Sequence, residues 1–287
     1  MAKEFKGFGY VSGGLFLDSP PEGPGKFGPK VREILLTSSA FDWSAISPAV
    51  FGAMLQGVME KGQRREIGAH YTSEGNILKV IGPLFLDELW EEFKALKAGP
   101  EGLKRFHEKI SRLKFLDPAC GCGNFLIVTY RELRFLELEI LKVLSFEKPP
   151  PLDSPPGPKV SLERFYGIEI EDFPCQIAQI GLRLTDLQMD LEFSKRLGKN
   201  FVRFPVNPSA NIQRANALGL DWERVVAKEE LSYILGNPPF LGYSNQSQGQ
   251  KADISLVFTN PHGKPYPGAG KIDYVAAWYF KAAKFMA

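Results

Sequence analysis

The chain has 287 residues, of which 44% are hydrophobic and 24% charged. That is enough apolar material to bury a large core in one or two domains, and too much for a disordered chain. A net charge of +2 and a pI of about 8.3 permit contact with nucleic acid without arguing for it.

The start of the chain, Met1-Ala2-Lys3-Glu4-Phe5-Lys6, leads into no long apolar run. Neither a secretion signal nor a spanning segment is indicated, so a cytoplasmic location is expected. Further on, Gly68-Ala69-His70-Tyr71-Thr72-Ser73 precedes an amphipathic helix. Its apolar face is Ile77, Leu78, Ile81, Phe85, Leu89 and Trp90, with Thr72 or Ser73 as the cap.

Residues 113–116, Leu-Lys-Phe-Leu, are a short strand candidate. Asp117 and Pro118 end it, because proline cannot continue a central strand. The run continues Ala119-Cys120-Gly121-Cys122-Gly123-Asn124-Phe125. Gly121 and Gly123 permit backbone angles closed to other residues and leave no side chain in the way. A helix is predicted from Phe125 to about Leu144, with Leu126, Val128, Leu133, Leu136, Ile140 and Leu141 apolar. Strand, glycine turn and helix make a nucleotide-cofactor architecture. Neither a third glycine nor a Gly-Lys-Ser/Thr follows, so the turn does not read as a pyrophosphate cradle. A cofactor with an ammonium and a carboxylate fits better: Asp117 can accept from the first, and turn amides can donate to the second. Cys120 and Cys122 read as small residues lining this turn. Cys175 is the only other thiol, and His70, His107 and His262 have no ligand spacing, so no metal site is expected.

Residues 148–158 form a proline-rich surface insertion. A second strand is predicted over 164–170, ending near Glu169 and Ile170, with Asp172 and Pro174 opening a helix as cap and early-turn residues. An acidic residue at that strand end is suited to ribose hydroxyls. Strands are also predicted over 211–218 and 231–236, with Asp221 and Trp222 starting a short helix between them. Asn216, beside Ala217, has two readings of equal weight: a partner for an adenine edge, or the cap of a turn.

Asn237-Pro238-Pro239-Phe240 follows at the carboxyl end of the fourth strand, where open α/β sheets bind ligands. An aromatic amine is a poor nucleophile because its lone pair is delocalised. Two acceptors for its hydrogens, the Asn237 side-chain oxygen and the Pro238 carbonyl, favour a more tetrahedral nitrogen. The prolines stiffen the backbone that aims them, and Phe240 offers a face for a base to stack on. Together the two motifs suggest methyl transfer from S-adenosylmethionine to an exocyclic amine. Residues 242–270, rich in Gly, Asn, Gln, Ser and Pro, are expected to be a mobile loop. Gln246, Gln248, Gln250 and Lys251 there either touch a DNA strand or are simply exposed. Residues 273–283 carry Tyr274, Trp278 and Phe280.

The order of these segments resembles the γ-type amino methyltransferases acting on adenine in DNA. The match is nearest to the methyltransferase region of the single-chain type IIL/IIG restriction–modification enzymes. In that group a tyrosine motif comes first, then the cofactor loop, then N-P-P-Y/F. Gly68-Ala69-His70-Tyr71-Thr72-Ser73 resembles the tyrosine motif, and the resemblance implies that Tyr71 and Thr72 close over the methionine part of the cofactor. Tyr10-Val11-Ser12-Gly13-Gly14-Leu15-Phe16 and Phe41-Asp42-Trp43-Ser44-Ala45-Ile46-Ser47-Pro48 resemble the helical connector that precedes this region. The implied organisation is a helical N-terminal connector over residues 1–62 and a Rossmann-like α/β methyltransferase domain over residues 63–287. The implied cofactor is S-adenosylmethionine. It would be held by His70, Tyr71, Thr72, Asp117, Pro118, Ala119, Cys120, Gly121, Gly123, Asn124, Phe125, Glu169, Ile170, Asn216 and Ala217. Asn237, Pro238, Pro239 and Phe240 would serve catalysis. Residues 273–283 resemble the helix that follows N-P-P-Y/F in this family, and the implied helix, with Tyr274, Trp278 and Phe280, needs a surface to cover. No nuclease-like region is read at the start. The family's further strands and target recognition domain would follow residue 287, so the domain is expected to be incomplete at its C-terminus. The expected partners are double-stranded DNA and a second chain or C-terminal region carrying the recognition domain. An RNA or protein-glutamine methyltransferase of the same fold, or a non-catalytic remnant that needs a partner chain, are the alternatives.

Overall fold

The computed structural model describes residues 28–42, 46, 47, 50, 72–147, 157–198, 201, 210–260 and 262–287. In chain order these form helix α1 (Pro29–Ala40), α2 (Glu74–Ile81), a π turn (Gly82–Leu86), α3 (Asp87–Leu96) and α4 (Pro100–Arg112). Strand β1 (Phe115–Asp117), α5 (Asn124–Glu147), β2 (Phe165–Glu169) and α6 (Asp172–Leu197) follow. Then come β3 (Asn211–Arg214), β4 (Tyr233–Ile234), α7 (Gln248–Val257) and α8 (Val275–Met286). The Tyr10–Phe16 segment and the His70–Tyr71 pair lie outside the described residues.

The four strands are parallel, in the order β3-β2-β1-β4. Side chains alternate across a strand, so each strand feeds two cores. Phe115, Phe165 and Tyr233 are neighbours across the sheet and share one face, with ring centroids 5.2 and 5.5 Å from Phe115. That face packs on α2, the π turn, α4 and α5 through Ile77, Phe85, Leu103, Phe106 and Leu126. Leu116, Ile168 and Ile234 point to the other face, against Trp222, Tyr274 and Trp278. Helices on both faces are what a parallel sheet requires.

The helices follow their sequence patterns closely. Ile77, Ile81, Phe85 and Leu89 are buried, and Leu78 and Trp90 pack against them. The run from residue 74 to 96 is interrupted by the π turn, where Pro83 has no N–H to give the helical ladder. Ser73 takes the cap position, but its side chain makes no capping bond. All six apolar positions predicted in α5 are buried. Glu171, rather than Asp172, caps α6, and Gly198 ends it in the left-handed region.

Several expectations need correction. The strands are shorter than predicted: β3 stops at Arg214 and β4 holds two residues. Asp221 caps a single 3-10 turn, Trp222–Arg224. Residues 242–270 are not a bare loop, because Ser247 and Gln250 form a capping box that starts α7, and Ile254 buries its inner face. The helix after it needs no external surface. Tyr274 and Trp278 are buried against the sheet, and Phe280 packs on Phe258 at 4.5 Å between centroids. α1 buries no residue of its own. Among the described residues no helix is long and apolar enough to cross a membrane.

A buried ionic cluster ties α4, α5, α6 and the segment before β2. Arg134 is fully buried and reaches Asp186 at 2.7 Å, Asp190 at 2.8 Å and Glu137 at 3.2 Å. Glu137 in turn accepts from Val160 N–H at 2.9 Å and meets His107 Nε2 at 2.7 Å. The Arg134 guanidinium also lies 4.7 Å from the Phe193 ring. Burial opposes the charge on Arg134, but its acidic neighbours more than offset that and hold its pKa above the usual value. Such clusters add little net stability over an apolar core, yet are costly to break. Arg134→Ala should therefore lose about 3–5 kcal/mol in denaturant unfolding, leaving three carboxylates without their cation.

Candidate functional site

The carboxyl ends of β1, β2 and β4 converge. β1 ends in Asp117, whose side chain is 1% exposed. β4 runs alongside it, and the pairing continues one residue further as Leu235 N–H donates to Leu116 O at 3.0 Å. This brings Gly236 against Asp117. A Cβ at position 236 would lie 2.4 Å from Asp117 Oδ1, and the φ of Gly236 is 149°. Both the close approach and the dihedral demand glycine. The two sequence motifs are thus packed directly against each other. Asp117 accepts from Ala119 N–H at 3.1 Å. Burial, aided by the nearby Glu169 charge, pushes its pKa up to about 7.

The glycine turn is built by Cys120 N–H donating to Ile168 O at 3.0 Å and Gly123 N–H donating to Cys120 O at 2.8 Å. Gly121 and Gly123 have φ of 53° and 80°. At Gly123 a Cβ would also sit 2.9 Å from the Ala178 Cβ, so this glycine lets the turn close on α6. Gly121 faces open space, with no atom within 4 Å of where a Cβ would be. Glu169, at the end of β2, spans two turns: one oxygen accepts from Gly121 N–H and the other from Glu171 N–H, each at 2.9 Å. Burial raises its pKa as well. Ile170, next to it, is 51% exposed. Asn124 Oδ1 is buried and makes no hydrogen bond. Burial pushes the Cys122 thiol up to about 11 and Cys175 to about 12, so both stay protonated and unreactive near neutral pH.

After Gly236, Asn237 is half-buried and its Nδ2 donates to Thr72 Oγ1 at 3.1 Å. Pro238 is buried, Pro239 half-buried, and Phe240 is 53% exposed. The chain beyond is anchored by Leu241, whose N–H donates to Asp273 at 3.0 Å and whose carbonyl accepts from Tyr274 N–H at 3.0 Å. Gln246 is buried and donates to the Leu241 and Ile272 carbonyls, so it is not available to DNA. The Gln250 side chain closes the α7 capping box and is likewise engaged.

Asn216 makes the bonds of a turn cap. Its Oδ1 accepts from Leu218 N–H, and its Nδ2 donates to Asp253 Oδ1, both at 3.0 Å. Asp253 also accepts from the Tyr274 hydroxyl at 2.6 Å. Lys281 closes the same turn, donating to the carbonyls of Ala217, Leu218 and Leu220 at 2.7, 2.9 and 2.5 Å. Burial pushes the Lys281 pKa down to about 8. Trp278 Nε1 donates to Pro118 O at 3.1 Å, clamping the glycine turn from α8. The sequence reading missed Asp253, Lys281, the Trp278 clamp and the Thr72–Asn237 bond. The pairs are far apart in sequence, and only the Ser247-x-x-Gln250 capping signal ahead of Asp253 could have pointed to any of them.

The residues at the strand ends suit a cofactor with an ammonium group: a buried carboxylate at Asp117, a buried unpartnered acceptor on Asn124, and open backbone at Gly121. A parallel sheet with a glycine turn after β1, an acidic end to β2 and a second turn after β4 defines a Rossmann-like domain of the methyltransferase type. Residues 92–287 match the family model described as MmeI, DNA-methyltransferase domain, and the chain belongs to this family. It is 38% identical over 285 residues to a protein of Bacillus subtilis (strain 168) named DNA methyltransferase A, spanning 98% of this chain and 31% of that protein. The structure of the type IIL restriction–modification enzyme MmeI in complex with DNA superposes with a TM-score of 0.84 at 48% identity, over 92% of this chain and 35% of that one. The chain therefore spans about a third of the length of these relatives.

Gly236→Ala forces a side chain into Asp117 and a strained dihedral on alanine. We expect it to lower stability by more than about 2 kcal/mol in chemical denaturation, whereas Gly121→Ala, with space but a positive φ, should cost about 1–2 kcal/mol.

Proposed function

We propose that this chain is the methyltransferase part of a site-specific DNA methyltransferase in a restriction–modification or anti-phage system. The transfer is from S-adenosylmethionine to the N6 amine of an adenine extruded from the duplex. Membership of a DNA-methyltransferase family implies a methyl donor of the S-adenosylmethionine type. The observation that carries the finer reading is the Asn237 carboxamide. It follows Gly236, which packs on Asp117, and its nitrogen is bonded to Thr72, leaving the oxygen to accept. The relative of the type IIL class was solved with DNA, which supports DNA as the substrate.

When bound, the cofactor supplies a methyl group activated by a sulfonium. Asp117 and Asn124 would hold its ammonium, Glu169 its ribose hydroxyls through the lone pairs not taken by Gly121 and Glu171, and Ile170 one face of its adenine. Residues His70, Tyr71 and Thr72 would close the methionine end, while Pro118 through Phe125 form the turn around it. Asn216 and Ala217 would line the adenine from the β3 side. Asn237 Oδ1 and the Pro238 carbonyl accept the hydrogens of the attacking amine. The transfer the bound donor would supply is methyl from sulfur to this nitrogen, with the neutral thioether as leaving group and the surplus amine proton passed to water. No strongly perturbed general base is needed, and most of the acceleration comes from positioning. The exposed Phe240 ring stacks on the extruded base.

Radiolabelled methyl transfer to duplex DNA, structured RNA and glutamine peptides tests this reading. Label should enter N6 of adenine in DNA, and Asn237→Ala should reduce it at least about a hundredfold. Label in RNA or peptide alone, or an active Asn237→Ala chain, would reject it. Cofactor affinity should also depend on pH. The ammonium binds the ionised form of Asp117, whose pKa is about 7. Binding should therefore tighten about tenfold between pH 6 and 8, and Asp117→Asn should bind weakly with no such dependence. The free fold runs the other way. Native Asp117 keeps a proton that the unfolded chain has lost, so its contribution falls as pH rises from its ordinary 3.8 toward 7.

A further inference from the structure

Thr72 and Asn237 are 165 residues apart, yet the Asn237 Nδ2 donates to the Thr72 hydroxyl at 3.1 Å. The two ends of a carboxamide are chemically opposite, NH2 a donor and oxygen an acceptor. Its last torsion is broad and roughly two-fold, so an unrestrained asparagine samples both orientations. Only one serves an amine: turned over, Asn237 would present N–H groups to N–H groups. A threonine hydroxyl can donate as well as accept; here it accepts from the amide nitrogen, which sends Oδ1 to the opposite side.

Thr72 is suited to be that fixed point. It sits directly before α2, whose first turn bonds back to the Ser73 carbonyl through Asn76 and Ile77 at 3.0 Å. Ile77 and Ile81 are fully buried. Glu74 is ion-paired to Arg131 of α5 at 2.6 Å, and that guanidinium holds the Glu74 carboxyl below its usual pKa. Threonine itself is stiff at its first side-chain torsion. On the other side, Gly236 is wedged against Asp117, which fixes the backbone that carries Asn237. Both ends of the bond are therefore held by elements that cannot drift independently.

We propose that Thr72 is a positioning residue for methyl transfer: its hydroxyl orients the Asn237 carboxamide so that Oδ1 faces the substrate amine. This goes beyond contact with the cofactor and rests on the amine-methylation reading above. It also makes the segment before α2 part of the acceptor side of the site, although it lies on the cofactor side in sequence.

Thr72→Val keeps the shape and removes the acceptor, and Thr72→Ser restores the acceptor. At saturating cofactor and duplex, where any lost contact between Thr72 and the cofactor no longer limits the rate, Thr72→Val should slow single-turnover transfer about 10- to 100-fold. Thr72→Ser should transfer within about threefold of the unaltered chain. In a 15N-labelled chain the Asn237 side-chain amide signals, assigned by their loss in Asn237→Ala, should move in Thr72→Val and stay in Thr72→Ser. A Thr72→Val chain that loses cofactor affinity but transfers at the normal saturated rate would overturn the proposal, as would unmoved Asn237 signals. A serine variant as slow as the valine variant would show that a hydroxyl at position 72 does not restore transfer, and would overturn the proposal. With a chain carrying the recognition domain supplied, unaltered protein that transfers no methyl group to DNA would sink the amine-methylation reading and this role together. Normal transfer by both the unaltered and the valine chain would sink the role alone.

Discussion

The contact between Gly236 and Asp117 is the constraint on which the rest of the site depends. Parallel pairing of β1 and β4 places the two residues side by side, and only the absence of a side chain at 236 lets the carboxylate stay where it is. From there Asp117 is pressed toward the glycine turn and Asn237 toward Thr72. A two-residue strand is thus enough to define the site, because its value lies in register rather than length. A one-residue slip would turn Ile234 and Tyr233 to the wrong faces and carry Asn237 away from the carboxylate.

The surrounding scaffold restrains the turns from several directions. Glu169 bridges the glycine turn to the start of α6. Lys281 and Asp253 hold the turn after β3. The Arg134 cluster keeps α5 and α6 at a fixed separation beneath that layer. Each restraint uses a charged or polar group with little or partial access to water, where its hydrogen bonds are strong and their loss is expensive. The result is a rim of preorganised backbone with few side chains free to move.

How far the sequence could be read depended on the range of the interactions. Local signals were sound: the apolar spacing of α5, the glycines of the turn and the acidic end of β2 each reflect physics within a few residues. The strands were overextended because mixed stretches such as 211–218 do not mark where a ladder stops and a turn begins. The 242–270 segment was misjudged from its Gly and Asn content, although Ser247 and Gln250 carried a local helix-start signal. Its burial of Gln246 was beyond reach, since the partners are the Leu241 and Ile272 carbonyls. The α8 helix was judged in need of a partner because the sheet face that receives Trp278 is assembled from Leu116, Ile168 and Trp222, none of them near it in sequence. The roles of the site residues rest on pattern and chemistry, and the geometry supplies the relations among them.

The bond from Trp278 to the Pro118 carbonyl has a consequence for biogenesis. The turn that opens the domain is clamped by a residue 160 positions later. At ordinary translation speeds that interval is about 8–32 s. For that time the nascent chain holds α5 and its neighbours with one face of the sheet bare, and a chaperone or ribosome-side contact has the opportunity to cover it. The glycine turn reaches its final form only when synthesis has passed α8, so any nascent product that ends before residue 278 lacks that clamp.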